Sequence, residues 1–487
     1  MDLPNVNKIF ADTATNILTE LFKNAMRISV KTWKWFRGES EAHDFFGQAA
    51  EKYSKKFVEL HNRLQIIGMT EPVPLTDIFV RVNILKKITS WQWFTEEKMR
   101  AWEDGFRNRK GFGEIDKESV NGIEVANQKP HLMLMGLPGA GKTTFLNYIG
   151  IQASQGKLDH KRIPVFISLK KLCDSNQPLL DSIAMEFDTC NFPATEHFIT
   201  HQLDKGSLLL LLDGLDEIGK NAINKIYDDI DHFYKKYSQN QFIISCRTAA
   251  YNQYFPGLTV VELADFNQEQ TTNFINNWFA NDIQKAQACK NKLFSKENKS
   301  ILELAKTPLV LSLLCVFFNE SMSFPQNRAE LYKDGLYALL EKWDASKNVP
   351  RDEIYRCLTT RRKIEMLSQT AYQAFEQERY FLKQDNLEKQ FIEFIENLPE
   401  SRAENLAPDG KAILKAIEIQ HGLLVERTHY TYSFLHLTFQ EYFTARYIVD
   451  NDDKKGTLQG LLEHITDPRW REVFLLCAEM GFDVQSG

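Results

Sequence analysis

A run of eight residues in this 487-residue chain has the types and spacing needed to hold phosphate groups. The run fits the pattern G-x-x-x-x-G-K-[ST] without a mismatch and consists of Gly136, Leu137, Pro138, Gly139, Ala140, Gly141, Lys142 and Thr143. Glycines let backbone N–H groups turn inward towards phosphate oxygens, and the lysine places its ammonium on the β- and γ-phosphates. The threonine hydroxyl can ligate Mg²⁺. The pattern predicts a nucleotide site, and a glycine-rich turn of structural use only is the alternative.

The segments on either side of this loop are those that a nucleotide site requires. Residues 131–135 form a short apolar run typical of a buried parallel strand, and Thr144 opens a stretch with a helical pattern. The N-terminal dipole of that helix favours anion binding. We therefore include Thr144 in the predicted site.

A second group of polar residues follows the five leucines at 208–212. Asp213 comes directly after this predicted strand, and Asp216 and Glu217 come shortly afterwards. Ligands of open α/β sheets bind at the carboxyl ends of the strands. We therefore predict that Asp213 holds Mg²⁺, directly or through water, and that Asp216 or Glu217 polarises the water that attacks the γ-phosphate. A surface acidic turn after a core strand is the alternative.

Another predicted strand ends at the same edge and is followed by Arg247. The guanidinium of Arg247 can contact a γ-phosphate and stabilise its charge, and an ordinary surface arginine is the alternative. Helical patterns alternate with the predicted strands, which indicates parallel crossover connections and an α/β fold. The strands are predicted at 131–135, 163–169, 208–212, 242–245 and 258–263.

Composition and charge are those of a globular protein with about three to four domains. The 43% hydrophobic and 25% charged residues are ordinary values, and a net charge of −6 gives no general attraction to nucleic acid or anionic lipid. The seven cysteines form no C-x-x-C pair, as in reduced cytoplasmic proteins. Neither a signal peptide nor an apolar run long enough for a membrane span is visible in the sequence, so we expect a cytoplasmic location.

The hydrophobic pattern divides the chain into six segments. Glycine and charge rise together between the first segment and the α/β part, which is typical of a linker. The predicted segments are an N-terminal helical domain (1–105), a linker (106–130), the α/β domain (131–265), a second helical domain (266–345), helices with one hairpin that suggest a winged helix (346–450), and a C-terminal helical piece (451–487).

One predicted helix in the N-terminal segment is strongly basic. Lys23, Arg27 and Lys31 are four residues apart and share a face, with aromatic residues close by. Such a helix can lie on a membrane surface, or it can pack in a bundle with its lysines in water. A membrane or a protein target for these helices is therefore left open.

Three short motifs of the predicted α/β domain together resemble those of the NACHT-family NTPases of the STAND class, the relatives of NOD-like receptors. They are the loop GLPGAGKTT, the acidic strand LLLLLDGLDE and the strand FIISCRT. Downstream, the segment TPL with Pro308 is similar to the family's helical-lid motif, whose proline packs on the nucleotide base. The segment 434–445, FLHLTFQEYFTA, is similar to the winged-helix motif. In the family, the histidine of that motif contacts the β-phosphate of bound ADP. This residue is His436 by position, and a core histidine beside Gln440 is the alternative.

The resemblance covers about residues 125–450 and implies a P-loop NTPase with flanking helical and winged-helix domains. It implies ATP/ADP and Mg²⁺ as cofactors, slow hydrolysis, and self-association when a trigger releases the closed ADP form. It suggests anti-phage defence in a bacterium, with residues 1–105 as effector or adaptor. Family members usually continue into a ligand-sensing region, whereas this sequence ends at Gly487. We therefore expect a short sensor or a fragment, with the trigger unidentified.

A DNA-binding regulator that uses the winged helix is the main alternative function. Its candidate recognition segment, 411–421, carries Lys411 and Lys415 but also Glu418, and a nucleic-acid footprint needs more clustered positive charge. DNA is therefore not the expected partner. A remodelling motor is a third class, but its arginine finger and pore cannot be read from one chain. The sequence has no N-K-x-D guanine motif, so we favour ATP over GTP.

The predicted role of His436 can be tested by replacing it with leucine, which keeps the bulk and removes the donor. A hydrogen bond to a charged group contributes about 1.5–3 kcal/mol, so its loss would shift the closed form towards the open form by roughly 10- to 150-fold. We expect faster ADP release and spontaneous oligomers in size-exclusion chromatography. A folded variant with unchanged ADP release would identify His436 as a core histidine.

Overall fold

The computed structural model describes most of the chain from residue 39 to residue 484. The described ranges are 39–64, 71–85, 119–137, 139–192, 196–218, 220–247, 255–295, 298–324, 328–337, 358–398, 409–418, 422–428, 430–435, 437–455 and 457–484. The predicted basic helix at 23–31, Pro138 and His436 lie outside the described residues.

A mostly parallel sheet forms the centre of the N-terminal half. The first strands along the chain are a short antiparallel pair, β1 (Arg63–Leu64) and β2 (Val73–Pro74). Within the described ranges, seven further strands build the main sheet: β3 (Asn83–Leu85), β4 (Ser119–Asn121), β5 (His131–Gly136), β6 (Ile163–Ser168), β7 (Leu208–Asp213), β8 (Gln241–Arg247) and β9 (Thr259–Leu263). Their order is β4-β3-β9-β5-β8-β7-β6. The strands from β9 to β6 are parallel, whereas β3 pairs antiparallel with both neighbours. The predicted α/β class is confirmed.

Helices cover both faces of this sheet. They are α1 (Glu39–His61), α2 (Leu75–Ile78), α3 (Gly122–Gln128), α4 (Lys142–Ser154), α5 (Leu169–Ser175), α6 (Leu179–Thr189), α7 (Glu196–Asp204) and α8 (Lys220–Lys236). Alternate residues of β7 enter two different cores: Leu210 and Leu212 face one, and Leu209 and Leu211 face the other. A strand buried on both faces has to be apolar at every position, which is why β7 is a run of leucines.

The described N-terminal residues, 39–64 and 71–85, pack with the α/β core, which differs from the separate helical domain predicted at 1–105. Helix α1 packs on α4, where a Cβ added to Gly150 would lie 2.8 Å from Cζ of Phe57. The hydroxyl of Tyr53 donates to the carbonyl of Pro164 in β6 at 2.7 Å. Strand β3, at 83–85, is part of the main sheet.

The described part of the predicted linker, 119–130, is strand β4 and helix α3 rather than a linker. Gly122 begins α3 and lies close to helix α4, since a Cβ added to this glycine would be 3.0 Å from the ring of Phe145. The glycine that suggested a flexible connection therefore allows two elements to approach each other closely.

Helices and a small sheet build the C-terminal half. The helices are α9 (Gln268–Trp278), α10 (Ile283–Leu293), α11 (Lys299–Leu304), α12 (Pro308–Ser321), α13 (Arg328–Tyr337), α14 (Thr360–Glu376), α15 (Gln384–Glu396), α16 (Gly410–Ala416), α17 (Leu437–Lys455), α18 (Thr457–Leu461) and α19 (Arg471–Val484). The predicted hairpin is present as β11 (Leu424–Thr428) and β12 (Thr431–Phe434), and β10 (Leu382–Lys383), which the sequence pattern missed, adds a third strand beside β12.

The winged-helix core extends beyond its predicted boundaries, 346–450, on both sides. Tyr332 of α13, predicted in the preceding domain, packs against the rings of Phe439 and Tyr442. Trp470, in the segment predicted as a separate C-terminal piece, is fully buried in the same core. Helix α17 also continues through 451–455, where the polar residues suggested a break, and Asp452 there accepts the N–H of Leu458 in α18 at 3.0 Å.

In the parts of the chain with described structure, no helix has both the length and the apolar character that crossing a membrane requires.

The position of α1 on the NTPase core predicts that Phe57 stabilises this domain. Phe57 is fully buried, so Phe57→Ala should lower the free energy of unfolding by about 3–5 kcal/mol. Leu60 lies on the same helix and is 40% exposed, so Leu60→Ala should change it by no more than about 0.5 kcal/mol. Denaturant unfolding of both variants checks this. Equal midpoints for the two would mean that α1 is not part of the core.

Candidate nucleotide site

The glycine-rich loop connects β5 to α4 and has the backbone that phosphate binding needs. Gly139 and Gly141 have φ angles of 76° and 90°, a region that glycine adopts without a steric cost. Helix α4 begins at Lys142, so its N-terminal end, with the positive end of the helix dipole, faces the loop. The Lys142 ammonium donates to the carbonyls of Gly136 and Leu137 at 2.8 and 3.1 Å. The ammonium of Lys142 and the N-terminal end of α4 thus both lie at the glycine-rich loop.

The two predicted Mg²⁺ ligands lie side by side. The hydroxyl of Thr143 donates to the carboxylate of Asp213, with Oγ1 at 2.9 Å from Oδ2 and 3.1 Å from Oδ1. A hydroxyl and a carboxylate are the hard oxygen donors that Mg²⁺ prefers. The residues present therefore fit the ion, and Thr143 and Asp213 would hold it beside the phosphates.

A serine that the sequence analysis did not select also contacts Asp213. The hydroxyl of Ser245, in β8, donates to Oδ1 of Asp213 at 2.6 Å and accepts the N–H of Gly214 at 2.9 Å. The sequence signal for it was a polar residue near the end of an apolar strand, at the edge where ligands bind.

Asp216 and Arg247 form a buried ion pair. The Nε of Arg247 lies 2.8 Å from Oδ2 of Asp216, and the backbone N–H of Arg247 donates to Oδ1 at 2.9 Å. The two side chains are only 3% and 6% exposed. Because both oxygens of Asp216 are engaged, this carboxylate is suited to orienting the arginine rather than to accepting a proton from water.

Glu217 lies against the turn that follows Asp213. This turn is a single 3₁₀ turn, Leu215–Glu217, that starts at Gly214 with φ of 83°. A Cβ added to Gly214 would lie 3.1 Å from Cδ of Glu217, so the glycine makes room for the carboxyl group. Glu217 is therefore held near Asp213, the predicted Mg²⁺ ligand.

The predicted lid segment packs directly on the glycine-rich loop. Pro308 is the first residue of α12, and the flanking residues reach the loop: a Cβ added to Gly139 would lie 3.0 Å from Cβ of Leu309 and 3.4 Å from Cγ2 of Thr307. Pro308 is thereby placed beside the site, although it lies far downstream of the loop in sequence.

Arg427, in the winged-helix hairpin, lies near acidic residues at the end of β9 in the main sheet. The sequence analysis also missed this residue. Arg427 donates from Nε to the hydroxyl of Ser433 at 2.9 Å and from a terminal nitrogen to the carbonyl of Leu435 at 3.0 Å. Burial lowers the pKa of Arg427 to about 10, while attraction by Asp265, Glu262 and Glu418 opposes this shift. The guanidinium is still charged at neutral pH.

The acidic partners of Arg427 come from the NTPase as well as from the winged helix. Glu262 lies in β9, where it pairs with Met135 of β5, one residue before the loop begins. The hairpin of the winged helix therefore lies near the strand that carries the glycine-rich loop.

These features define a class of protein: a P-loop NTPase with a helical lid and a winged helix. Residues 131–282 match the model of the NACHT domain, and residues 328–448 match the model of the winged helix-turn-helix domain C-terminal to NACHT. The mouse protein "NACHT, LRR and PYD domains-containing protein 10" is 23% identical over 395 residues, which cover 76% of this chain and 53% of that protein. The chain thus spans about half the length of this relative.

The chain carries a NACHT NTPase domain followed by its winged-helix domain, which confirms the resemblance seen in the three sequence segments. The roles of the individual site residues stay predictions.

The geometry of the two acids predicts different effects for their amide variants. Asp216→Asn leaves the buried guanidinium of Arg247 without its counter-charge and should cost about 3–5 kcal/mol of folding free energy. Glu217→Gln should preserve nucleotide binding and slow hydrolysis about 100-fold or more, as loss of a general base does. Thermal unfolding and phosphate release distinguish the two. Normal turnover in Glu217→Gln would remove Glu217 from the mechanism.

Proposed function

We propose that this chain is an ATP-binding signalling switch that hydrolyses ATP slowly and assembles with copies of itself when ATP replaces ADP. The observation that carries the proposal is a double contact of Leu309. This residue packs on Gly139 in the glycine-rich loop and also against the winged-helix core. One side chain therefore connects the loop that holds the phosphates to the domain that would move.

The packing around Leu309 gives the coupling its physical basis. Leu309 and Val310 are partly buried against the winged-helix core, and Val310 also packs against the NTPase core. Densely packed interfaces move between discrete arrangements rather than deforming continuously. A shift of Gly139 when the bound phosphates change would therefore displace Leu309 and with it the edge of the winged helix.

A charged contact supports the same closed arrangement. Arg427 of the hairpin lies in the field of Glu262 and Asp265, which belong to the NTPase part of the chain. Water can replace charged partners when two domains separate, whereas exposing a large apolar core is costly. A small apolar contact and a charged contact together suit an interface that opens and closes.

The residues of the site have distinct roles in the proposed reaction. The loop N–H groups and Lys142 would bind the β- and γ-phosphates, and Pro308 would pack on the base, as the resemblance implies. Mg²⁺ held by Thr143 and Asp213 would neutralise phosphate charge. Glu217 would polarise the attacking water and Arg247 would stabilise the γ-phosphate charge.

Slow turnover is consistent with the restraint on these groups. Arg247 is tied to Asp216 by its backbone N–H and its Nε, and Glu217 is 8% exposed. Arg247 would have to exchange or share this buried ion pair to reach a γ-phosphate, which would slow hydrolysis and suits a switch better than a motor.

The biological setting that we propose is defence against phage in a bacterium, through the trigger-dependent assembly that the family resemblance implies. Residues 39–64 and 71–85 pack with the NTPase, so only part of the segment 1–105 is available for an effector or adaptor role. Phage plating on cells that express the wild type or Lys142→Ala tests this setting. Equal plating on both would reject it.

The structure gives no support to the DNA-binding alternative. In the candidate recognition helix α16, Lys415 is paired with the buried Glu418 at 2.9 Å, and Glu418 also accepts the N–H of Glu426 at 2.8 Å. A lysine neutralised within its own domain contributes little to phosphate binding.

The proposal predicts that Leu309→Ala weakens the closed form. Removing a partly buried leucine should cost the closed form about 1–2 kcal/mol, which corresponds to about 5- to 30-fold faster ADP release. Ile283→Ala is the matched control, because Ile283 lies in the same helical region and is 81% exposed. Stopped-flow release of a fluorescent ADP measures both. Identical rates would show that Leu309 does not couple the domains.

Assembly itself is tested with nucleotides of defined state. Light scattering after size-exclusion chromatography should give a larger species with a non-hydrolysable ATP analogue than with ADP. Lys142→Ala should give the smaller species with both. A wild-type protein of one size under all conditions would overturn the switch.

A further inference from the structure

Ser245 is the least exposed polar side chain around the predicted Mg²⁺ ligands and makes two contacts with the neighbouring strand. It is 1% exposed, in a strand that is otherwise apolar from Phe242 to Ile244. Its hydroxyl donates to Oδ1 of Asp213 and accepts the N–H of Gly214. A serine hydroxyl has one proton, and the N–H of Gly214 cannot accept it, so the proton is directed at the carboxylate.

The hydroxyl of Thr143, the second predicted ligand, lies 3.1 Å from the Oδ1 that Ser245 contacts and is closer to the other carboxylate oxygen. Oδ2 of Asp213 lies 2.9 Å from Oγ1 of Thr143. Two adjacent ligands of an octahedral Mg²⁺ ion, each at about 2.0–2.1 Å, are separated by about 2.9 Å. The separation of these two oxygens is therefore compatible with one ion bound by both, while Ser245 contacts Oδ1.

The same side of β8 also holds the acidic turn. Ser245 and Arg247 are alternate residues of the strand and so point to the same side of the sheet. Ser245 binds Asp213 and Gly214, and Arg247 binds Asp216. Strand β8 thus contacts the segment from Asp213 to Glu217 both at its start and at Asp216, near its end.

We propose that Ser245 is a positioning residue that sets the orientation of the Asp213 carboxylate for Mg²⁺. The proposal rests on the proposed function, because it requires that the site takes a nucleotide with Mg²⁺. Without the hydroxyl, the carboxylate can rotate about its Cβ–Cγ bond, and the N–H of Gly214 loses its acceptor. Part of the free energy of Mg²⁺ binding is then spent on fixing the orientation of the Asp213 carboxylate, so the affinity for Mg²⁺ falls.

The test separates Mg²⁺ affinity from folding and from nucleotide binding. Fluorescent ATP is bound to wild type and to Ser245→Ala in EDTA, and Mg²⁺ is then titrated. We expect similar affinity in EDTA and a Mg²⁺ concentration for half-maximal response that is raised roughly 10-fold, since a hydrogen bond to a charged group is lost. Ser154→Ala is the control, because Ser154 is also buried, whereas its hydroxyl donates to the backbone carbonyl of Ile151 and not to a predicted Mg²⁺ ligand.

Two further variants keep the test decisive if Ser245→Ala is unstable. Ser245→Cys has nearly the same shape but a weak donor, so it should need more Mg²⁺, and Ser245→Thr keeps the hydroxyl and should restore the normal response. A wild-type Mg²⁺ response in the alanine or cysteine variant would overturn the role of Ser245 alone. A wild-type protein without Mg²⁺-dependent nucleotide binding would overturn both this role and the proposed function.

Discussion

The carboxylate of Asp213 is the point on which the geometry of the site depends. It accepts hydrogen bonds from the hydroxyls of Thr143 in α4 and Ser245 in β8, which are 70 and 32 residues away in sequence. Three separate elements therefore meet at one charged group. A partly buried carboxylate gains from each hydrogen bond that it accepts, so these contacts help to hold the phosphate loop, the acidic strand and the arginine strand in one relative arrangement.

This meeting point is possible because β8 lies between β5 and β7 and runs parallel to both. Parallel strands bring their carboxyl ends to the same edge, and the register pairs Gly136, where the loop starts, with Arg247. Burial on both faces fixes that register. A slip by one residue would turn every side chain of the strand to the opposite face of the sheet and so disrupt the packing on both faces. The precision of the site therefore comes from apolar packing below it.

The described contacts between the C-terminal half and this site are of a different kind. Leu309 lies on the glycine-rich loop, and Arg427 faces carboxylates close to the loop strand. The NTPase core is bound by extensive apolar burial, whereas the link to the winged helix combines a partly buried leucine with a charged group. That contrast is the physical basis of the proposed switch, in which the winged helix would move while the nucleotide site stays intact.

The sequence by itself determined the five parallel strands to within about two residues, the loop and the acids, because each strand buried on both faces must be a continuous apolar run and each motif is local. The tertiary structure decided what depends on distant partners. Strands β3 and β4 have three residues each, which is too few for a recognisable hydrophobic pattern. They form because they pair with neighbouring strands of the main sheet. The roles of Ser245, Leu309 and Arg427 arise from strand register and domain packing, which no local spacing encodes.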